Sequence, residues 1–261
     1  MNINVKNKRI LITASSRGIG WGIAKVFLHE GAYVFMCARH LEDLRDVKEN
    51  WENAYIYYCD LTDQSSLEVL INSIIKEKGG IDVFIHNTGN PDNEPSTFFE
   101  LQDSDWDYSI KLYLLSAIKI IKLIYKYMIS NGFGRIVFIS SYTVKEPSVY
   151  LSLADVSRAG IIQLTKVLSR ELGKYGITVN TILLGSFETP GAKRTIAKLA
   201  KRLGVDFKKV WEEEVIAPTS VKRIGIVEKD LAPLLVFLSS EYSSYITGSI
   251  ITVDGGVMRT Y

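Results

Sequence analysis

The feature that most constrains the fold is an alternation of short apolar runs with longer amphipathic stretches along the chain. The strand-like runs are 9–14, 32–38, 54–58, 81–86, 134–140, 177–184 and 249–253. The helical patterns between them are 18–30, 41–51, 64–78, 103–130, 151–175 and 228–239. Strands that are apolar along their whole length and alternate with helices predict a parallel sheet with helices on both faces. We therefore expect an α/β protein with one doubly wound sheet of about seven strands, a Rossmann architecture, and residues 1–261 as a single domain.

One segment, about residues 189–221, interrupts the alternation after the sixth strand-like run. It has a helical pattern and an unusual number of cations: Lys193, Arg194, Lys198, Lys201, Arg202, Lys208 and Lys209. Ligands of open α/β sheets bind at the carboxyl ends of the strands, where this segment emerges, so we predict a substrate lid. A helical hairpin that only packs on the protein is the alternative. The cations suggest an anionic or polyhydroxylated substrate.

Composition argues against several other classes of protein. The formal net charge is +2 and the lysines and arginines are scattered, so we expect no nucleic-acid partner. The two cysteines and three histidines show no ligand spacing, so we expect no metal and a reducing, cytoplasmic setting. The most apolar stretch, residues 110–129, carries a lysine stripe, so we expect it to pack on protein rather than to enter a membrane.

A glycine-rich turn follows the first predicted strand, with the sequence Thr-Ala-Ser-Ser-Arg-Gly-Ile-Gly at 13–20. Small side chains at such a turn let the backbone approach a diphosphate at the positive end of the next helix. Because the turn lies between a strand and a helix, it predicts a dinucleotide site.

The turn and several later segments, in this order, resemble the short-chain dehydrogenase/reductase family. Ala14 stands where the first glycine of the family's turn is usual. The further similar segments are Cys59-Asp60-Leu61, His86-Asn87-Thr88-Gly89, Trp106-Asp107, Ile139-Ser140-Ser141, Val179-Asn180 through Gly185 to Thr189, Tyr245-Ile246-Thr247-Gly248 and Val253-Asp254-Gly255-Gly256. The resemblance covers essentially the whole chain.

This resemblance implies a bound nicotinamide dinucleotide. The implied contacts are Thr13, Ser15, Ser16, Arg17, Gly18, Ile19, Gly20, Arg39, Asp60, Leu61, Asn87, Thr88, Gly89, Arg158, Gly185 and Thr189. An acidic residue after the second strand would favour NAD(H), but Ala38 occupies that position and Arg39 follows it. Together with Arg17, Arg39 would suit a 2′-phosphate, so we expect NADP(H), with NAD less favoured. The alternative is that Arg39 is only a surface residue.

The family's proton-transfer residues are incompletely matched. Ser141 is at the position of the serine, but the tyrosine position, thirteen residues later, is Ala154. Arg158 replaces the lysine, and Tyr113 stands at the asparagine position. Alanine has no proton to donate, and arginine stays charged.

Three tyrosines are candidates for the missing acid, namely Tyr150, Tyr113 and Tyr142. Tyr150 would share a face with Ala154 if the helix extended back that far. Each of the three has packing as its alternative. Our candidate catalytic residues are therefore Ser141, Arg158, Tyr150 and Tyr113.

We expect an NADP(H)-dependent oxidoreductase that moves a hydride between the cofactor and an alcohol or carbonyl of a sugar, polyol or oxoacyl type. The alternative is a catalytically impaired nucleotide-binding protein, either a redox sensor or an oligomer partner. The family resemblance also implies a homo-oligomer, a tetramer or a dimer. The apolar residues Ile118, Ile120, Ile121, Leu123 and Ile124 of the long helix support that expectation.

Overall fold

The computed structural model describes residues 3–260 and contains a seven-stranded parallel sheet. The strands are β1 (Arg9–Ile12), β2 (Tyr33–Ala38), β3 (Ala54–Tyr58), β4 (Val83–His86), β5 (Gly134–Ser141), β6 (Ile177–Leu184) and β7 (Ile250–Val253). Their order is β3-β2-β1-β4-β5-β6-β7. The predicted doubly wound sheet is confirmed. The strand order reverses between β1 and β4, which opens a crevice at the carboxyl edge of the sheet.

Helices follow the strands along the chain and cover both faces of the sheet. They are α1 (Gly18–His29), α2 (Arg45–Asn50), α3 (Gln64–Lys78), α4 (Asp103–Ile110), α5 (Ser116–Ser130), α6 (Ser152–Leu172), α7 (Pro190–Leu203), α8 (Phe207–Val210) and α9 (Ala232–Leu238). A π-helical turn, Lys111–Leu115, joins α4 to α5, so the predicted long helix at 103–130 is continuous.

Two apolar clusters form the core, one on each face of the sheet. Successive residues of β1 point to opposite faces, so Ile10 and Ile12 belong to one cluster and Leu11 to the other. This two-sided burial explains why the strands are apolar along their length instead of alternating.

The long helix buries much of the surface that suggested an oligomer. Ile120, Ile121 and Ile124 pack in the core of the protein itself, while Ile118 and Leu123 are half-buried. The core therefore accounts for three of these five residues without a second subunit.

Two features are absent from the part of the chain that the structure describes. No helix within residues 3–260 is both long and apolar enough to span a bilayer. The same residues include no cluster of three or more His, Cys, Asp or Glu side chains that could hold a metal ion.

Candidate active site

The glycine-rich turn is tied to the end of β4 by reciprocal hydrogen bonds. The Thr13 hydroxyl donates to the carbonyl oxygen of Asn87 (2.7 Å) and accepts from the Asn87 backbone N–H (3.0 Å). The Asn87 side-chain amide donates to the carbonyl oxygen of Ala14 (3.1 Å). Thr13 and Asn87, both predicted cofactor contacts, thus hold the turn against the neighbouring strand.

Ser15 uses its hydroxyl within the protein. The hydroxyl is buried, donates to the carbonyl oxygen of Ile12 (2.9 Å) and accepts from the backbone N–H of Cys37 (3.2 Å). The side chain therefore links the turn to β2. Ser16 is half-buried and Arg17 is exposed on the same turn.

The turn requires small residues because its backbone doubles back closely. A Cβ on Gly20 would lie 2.4 Å from the carbonyl oxygen of Ala14 and 2.8 Å from the amide nitrogen of Asn87. Ala14 has φ of +48° and Gly18 has φ of +58°. Left-handed backbone costs a non-glycine residue roughly 1–2 kcal/mol, so Ala14 occupies a position that favours glycine.

The N-terminus of α1 is suited to an anion. Among the described residues, no side chain caps this helix and its first turn holds no acidic residue. Its first backbone N–H groups therefore keep their capacity to bind an anionic group, which the helix dipole also favours. The start of α7 lies nearby, since a Cβ on Gly18 would be 3.6 Å from the Cβ of Thr189.

The residues predicted to bind the adenine end lie along the edge formed by β2 and β3. Arg39 follows β2, is exposed and donates to the hydroxyl of Tyr108 at 3.4 Å. Asp60 follows β3 and accepts from the backbone N–H (2.8 Å) and hydroxyl (2.7 Å) of Thr62. Leu61 is buried beside it.

A cleft of about 130 Å³ opens at the carboxyl edge of the sheet, where β4, β5 and β6 end. Six of the predicted site residues line it: Ile19, Asn87, Thr88, Ser141, Arg158 and Gly185. The structure therefore brings predicted nicotinamide-end and catalytic residues into one place. The hydroxyl of Ser140, another lining residue, is buried and has no partner within the described part of the chain.

Arg158 is held over Tyr113 at one side of the cleft. Its Nη2 donates to the Tyr113 hydroxyl (3.0 Å) and to the Asn90 side-chain oxygen (3.2 Å), and its guanidinium carbon lies 4.3 Å from the centre of the Tyr113 ring. Burial raises the pKa of Tyr113, and the positive charge of Arg158 opposes that rise. A phenol with a raised pKa is a weaker acid, so Tyr113 is better placed to orient Arg158 than to donate a proton.

A buried carboxyl, Glu94, was missed by sequence reasoning. One of its oxygens, Oε1, accepts from the backbone N–H of Ala154 (2.9 Å). Its other oxygen, Oε2, is buried without a partner among the described residues, and burial raises the pKa of the carboxyl. A single glutamate in a polar loop gives no sequence signal for this position.

Thr143 and Asp155 were also missed. The Thr143 hydroxyl lies 2.8 Å from the hydroxyl of Ser141 and is hydrogen-bonded to Oδ1 of Asp155. Oδ2 of Asp155 accepts from the backbone N–H of Ser148 at 2.9 Å. An aspartate inside an otherwise apolar helical face was the available signal, because such a residue is seldom buried without a polar partner.

Residues 13–258 match the model of a family described as enoyl-(acyl carrier protein) reductase. This match covers nearly the whole chain, including the glycine-rich turn and the cleft. The chain belongs to the short-chain dehydrogenase/reductase family.

Individual relatives agree with this assignment. The chain is 32% identical to a 7alpha-hydroxysteroid dehydrogenase of Paraclostridium sordellii, over 97% of this chain and 92% of the relative. It is 31% identical to the 3-oxoacyl-(acyl-carrier-protein) reductase FabG of Chlamydia muridarum, over 98% and 100%. A crystal structure of L-sorbose reductase from Gluconobacter frateurii with NADPH and L-sorbose superposes with a TM-score of 0.91 at 30% identity, covering 100% of both chains.

The prediction of an oxidoreductase family that acts on alcohol or carbonyl groups is confirmed by these relatives. The prediction of NADP(H) as the cofactor is confirmed by the NADPH bound in the L-sorbose reductase structure. Ser141, which we expect at the serine position of the family, lines the cleft of this short-chain dehydrogenase/reductase.

The expectation that Tyr150 shares a helical face with Ala154 is wrong, because α6 begins at Ser152. Its carbonyl oxygen instead accepts from the backbone N–H of Ser96 at 3.0 Å, and the guanidinium carbon of Arg202 lies 5.4 Å from its ring centre. For Tyr142, burial raises the pKa, which makes that phenol a weaker acid as well.

Residues 189–221 of this short-chain dehydrogenase/reductase contact the loop between β4 and α4. Arg202 on α7 pairs with Glu100 (2.7 Å), and the Lys198 ammonium donates to the carbonyl oxygen of Asp92 (2.8 Å). Lys193 pairs with Glu188 (3.0 Å). These three cations are engaged with the protein, which weakens the expectation that they face an anionic substrate.

Proposed function

We propose that this chain is an NADP(H)-dependent carbonyl reductase or alcohol dehydrogenase whose active site is the cleft between the α1 N-terminus and Arg158. The observation that carries the proposal is the convergence of Ser141 and Arg158 with the dinucleotide turn at one edge of the sheet. In an open α/β sheet, this edge is where ligands bind.

The residues present fit the cofactor. The α1 N-terminus has free N–H groups for a diphosphate. The turn before it needs glycine at position 20, because a Cβ there would clash with the carbonyl oxygen of Ala14. The exposed side chains of Arg17 and Arg39 suit the 2′-phosphate of NADP(H). When bound, the reduced nicotinamide supplies a hydride to a carbonyl carbon.

The site departs from the usual family pattern, with Ala154 at the tyrosine position and Arg158 at the lysine position. Ala154 is buried at the start of α6, close to the carboxyl of Glu94. Arg158 presents a permanent positive charge to the cleft, which suits it to holding the nicotinamide ribose or a substrate oxygen. Ser141 hydrogen-bonds the substrate oxygen.

The segment 189–221 acts as a lid over the substrate end of the cleft, within a single domain formed by residues 1–261. Its contacts with Glu100 and Asp92 support this role, because they join the segment to the loop between β4 and α4, which contributes Asn90 to the cleft. Since Lys193, Lys198 and Arg202 are engaged, an uncharged hydroxyketone, polyol or oxoacyl group suits the site better than a strongly anionic substrate.

We propose further that the chain assembles as a homotetramer or dimer in the cytoplasm. Val156 and Val167 leave apolar surface on α6, with 60% and 51% of each residue exposed, and Ile110 adds to it from α4. Cys37 and Cys59 are free buried thiols, as expected in a reducing compartment. Sedimentation as a monomer would contradict the oligomer.

The test is a calorimetric titration with NADPH followed by an absorbance assay of NADPH oxidation against ketoses, hydroxysteroid ketones and oxoacyl thioesters. We expect binding and turnover, and a loss of turnover in Ser141→Ala with binding retained. Binding of NADPH without turnover of any carbonyl would favour the alternative, a nucleotide-binding protein without catalysis.

A further inference from the structure

Three oxygen-bearing side chains form a row that leads from the cleft into the protein. Ser141 lines the cleft, and its hydroxyl oxygen lies 2.8 Å from that of Thr143. The Thr143 hydroxyl is in turn hydrogen-bonded to the carboxyl of Asp155, which ends the row. Asp155 is 3% exposed, and its outer oxygen accepts from the Ser148 backbone N–H. The row therefore connects the substrate space to a buried carboxyl.

The number of protons in this row depends on the state of the carboxyl. Thr143 has one hydroxyl proton but contacts both Ser141 and Asp155, so one of those partners must donate to it. If Asp155 is ionised, Thr143 donates to it and Ser141 donates to Thr143. If Asp155 is protonated, it donates to Thr143, Thr143 donates to Ser141, and the proton of Ser141 is free to point into the cleft.

The same heavy-atom positions serve both states, so a proton can pass along the row without movement of the backbone. In the protonated state, Ser141 also accepts from the Thr143 backbone N–H at 3.3 Å. The Ser141 oxygen then accepts two hydrogen bonds, which is its full capacity, so its own hydrogen is available to an acceptor in the cleft.

The surroundings shift Asp155 toward its protonated state. Burial raises its pKa, while the bonds from Thr143 and Ser148 and the charge of Arg158 act in the opposite direction. The other titratable groups that interact with it are Glu94 before α4, Tyr113 on the π-helical turn and Tyr142 after β5.

The cleft end of the row also lacks partners. The Ser140 hydroxyl and the Arg158 Nε are buried in the cleft wall without a hydrogen-bond partner in the described chain. Buried polar groups in folded proteins are normally paired, so the wall of the cleft beside Ser141 keeps two unsatisfied polar atoms among the described residues.

We propose that Ser141 donates the proton to the substrate oxygen and that Asp155, acting through Thr143, replaces that proton. Ser141 is the catalytic residue, while Thr143 and Asp155 are positioning residues that act through it. This inference rests on the proposed function, because it specifies the source of the proton for the same reduction.

As the carbonyl carbon accepts the hydride that the reduced nicotinamide loses, the C=O π bond breaks and the oxygen takes the proton of Ser141. Ser141 takes the proton of Thr143, and Thr143 takes that of Asp155. The products are an alcohol, the oxidised nicotinamide and an Asp155 carboxylate that faces Arg158 and the Ser148 N–H. After the product leaves, a proton from the solvent enters at Ser141 and passes through Thr143 to Asp155, which restores the starting state.

The first test uses Asp155→Asn, Thr143→Val and Thr143→Ser. We expect Asp155→Asn and Thr143→Val to lower kcat by about 10²–10⁴-fold at similar KM. Thr143→Ser should keep most of the wild-type kcat, because serine keeps the hydroxyl. The pH dependence of kcat should lose its basic limb in Asp155→Asn. The matched control is Thr165→Val. Thr165 lies on α6, as Asp155 does, and its buried hydroxyl pairs with that of Thr181 in β6, away from the cleft. The variant should change stability but not kcat.

The second test needs neither cofactor nor substrate. The infrared C=O stretching band of a protonated carboxyl should be present in the cofactor-free protein above the usual pH range of aspartate. Asp155→Asn should remove the part of this band that belongs to Asp155, and Thr143→Val, which breaks the hydrogen bond of that carboxyl and keeps the group, should shift that part. Glu94→Gln should leave it in place.

The outcomes distinguish a failure of the proposed function from a failure of the proton route. If the wild-type protein binds no NADPH, the proposed function fails, whatever the infrared spectra show. If the wild type turns over but Asp155→Asn keeps its kcat and pH profile, the proton route is wrong and the function stands. If instead Glu94→Gln removes the basic limb, Glu94 is the acid. The absence of an Asp155 carboxyl band would overturn the inference without any assay of activity.

Discussion

The guanidinium of Arg158 donates to the hydroxyl of Tyr113 at 3.0 Å and lies against the face of its ring. Tyr113 belongs to the π-helical turn between α4 and α5, and Arg158 belongs to α6. The contact therefore fixes a permanent charge at the cleft from two different helices. Single π-helical turns inside α-helices are frequent at functional sites.

Tyr113→Phe should loosen Arg158 while keeping the ring. We expect stability to fall by about 1 kcal/mol and kcat/KM to fall about tenfold, because among the described residues Arg158 would keep Asn90 alone as a hydrogen-bond acceptor. Steady-state kinetics and chemical denaturation measure the two effects. Tyr127→Phe, at a more exposed position on α5, is the control and should leave both unchanged.

Arg39→Ala should weaken binding of NADPH but not of NADH. The guanidinium would form charge-assisted hydrogen bonds with the 2′-phosphate, which are worth about 1.5–3 kcal/mol, so the Kd for NADPH should rise about 10- to 100-fold. Arg170→Ala, at an exposed arginine near the end of α6, is the control. Equal weakening for both dinucleotides would mean that Arg39 does not bind the 2′-phosphate.

Breaking the pair between Arg202 and Glu100 should affect the substrate more than the cofactor. In Arg202→Ala we expect KM for the carbonyl substrate to rise about two- to fivefold, a small effect because exposed ion pairs are weak. The Kd for NADPH should not change. The double variant Glu100→Arg/Arg202→Glu should recover the wild-type KM.

Lys209→Ala is the matched control for the lid, because its pairing with Glu213 at 4.0 Å stays within the segment 189–221. A KM that is the same in Arg202→Ala, Lys209→Ala and the wild type would contradict closure of the cleft by the lid.

His86 should make the folded protein less stable in acid. Burial lowers its pKa from 6.5 to about 3, and its Nε2 contacts the Ser116 hydroxyl at 2.8 Å. Ser116 donates its own proton to the carbonyl oxygen of Leu112, so Nε2 carries the hydrogen of the neutral ring.

As the pH falls from 6.5 toward 3, the unfolded chain binds a proton at His86 that the folded protein does not, so stability decreases across that window. Between pH 6.5 and 5, the free energy of unfolding should fall ~1.5 kcal/mol more in the wild type than in His86→Asn. Urea denaturation at a series of pH values measures this. His29→Asn, at an exposed histidine, should keep the wild-type slope.

The strands and the dinucleotide turn were predictable from the sequence because their signals are local. β1, for example, is an apolar run followed directly by the glycine-rich turn, and its neighbours β2 and β4 are apolar runs as well. The parallel order then follows from alternation with helices. The sequence also indicated which residues meet at the cleft, since Asn87, Ser141 and Gly185 each follow the end of a strand or complete it.

The missing parts of the site depend on contacts between distant residues. Glu94 and Ala154 are 60 positions apart, and only the folded chain brings the carboxyl to the start of α6. The role suggested for Tyr150 depended on where α6 begins, and helix ends are the least certain feature of a sequence-based prediction. Two cations of the segment 189–221 likewise find their partners through the tertiary structure, since Arg202 meets Glu100 across 102 positions and Lys198 meets Asp92 across 106.

A calorimetric titration of the protein with NADPH tests the central claim most directly. We predict one saturable site per chain. Gly20→Ala should abolish or greatly weaken it, because the added Cβ would lie 2.4 Å from the Ala14 carbonyl oxygen. Gly173→Ala, where a Cβ meets nothing within 4 Å, should bind as the wild type does. No heat of binding in the wild type, or equal binding in both variants, would contradict a cofactor seated at the N-terminus of α1.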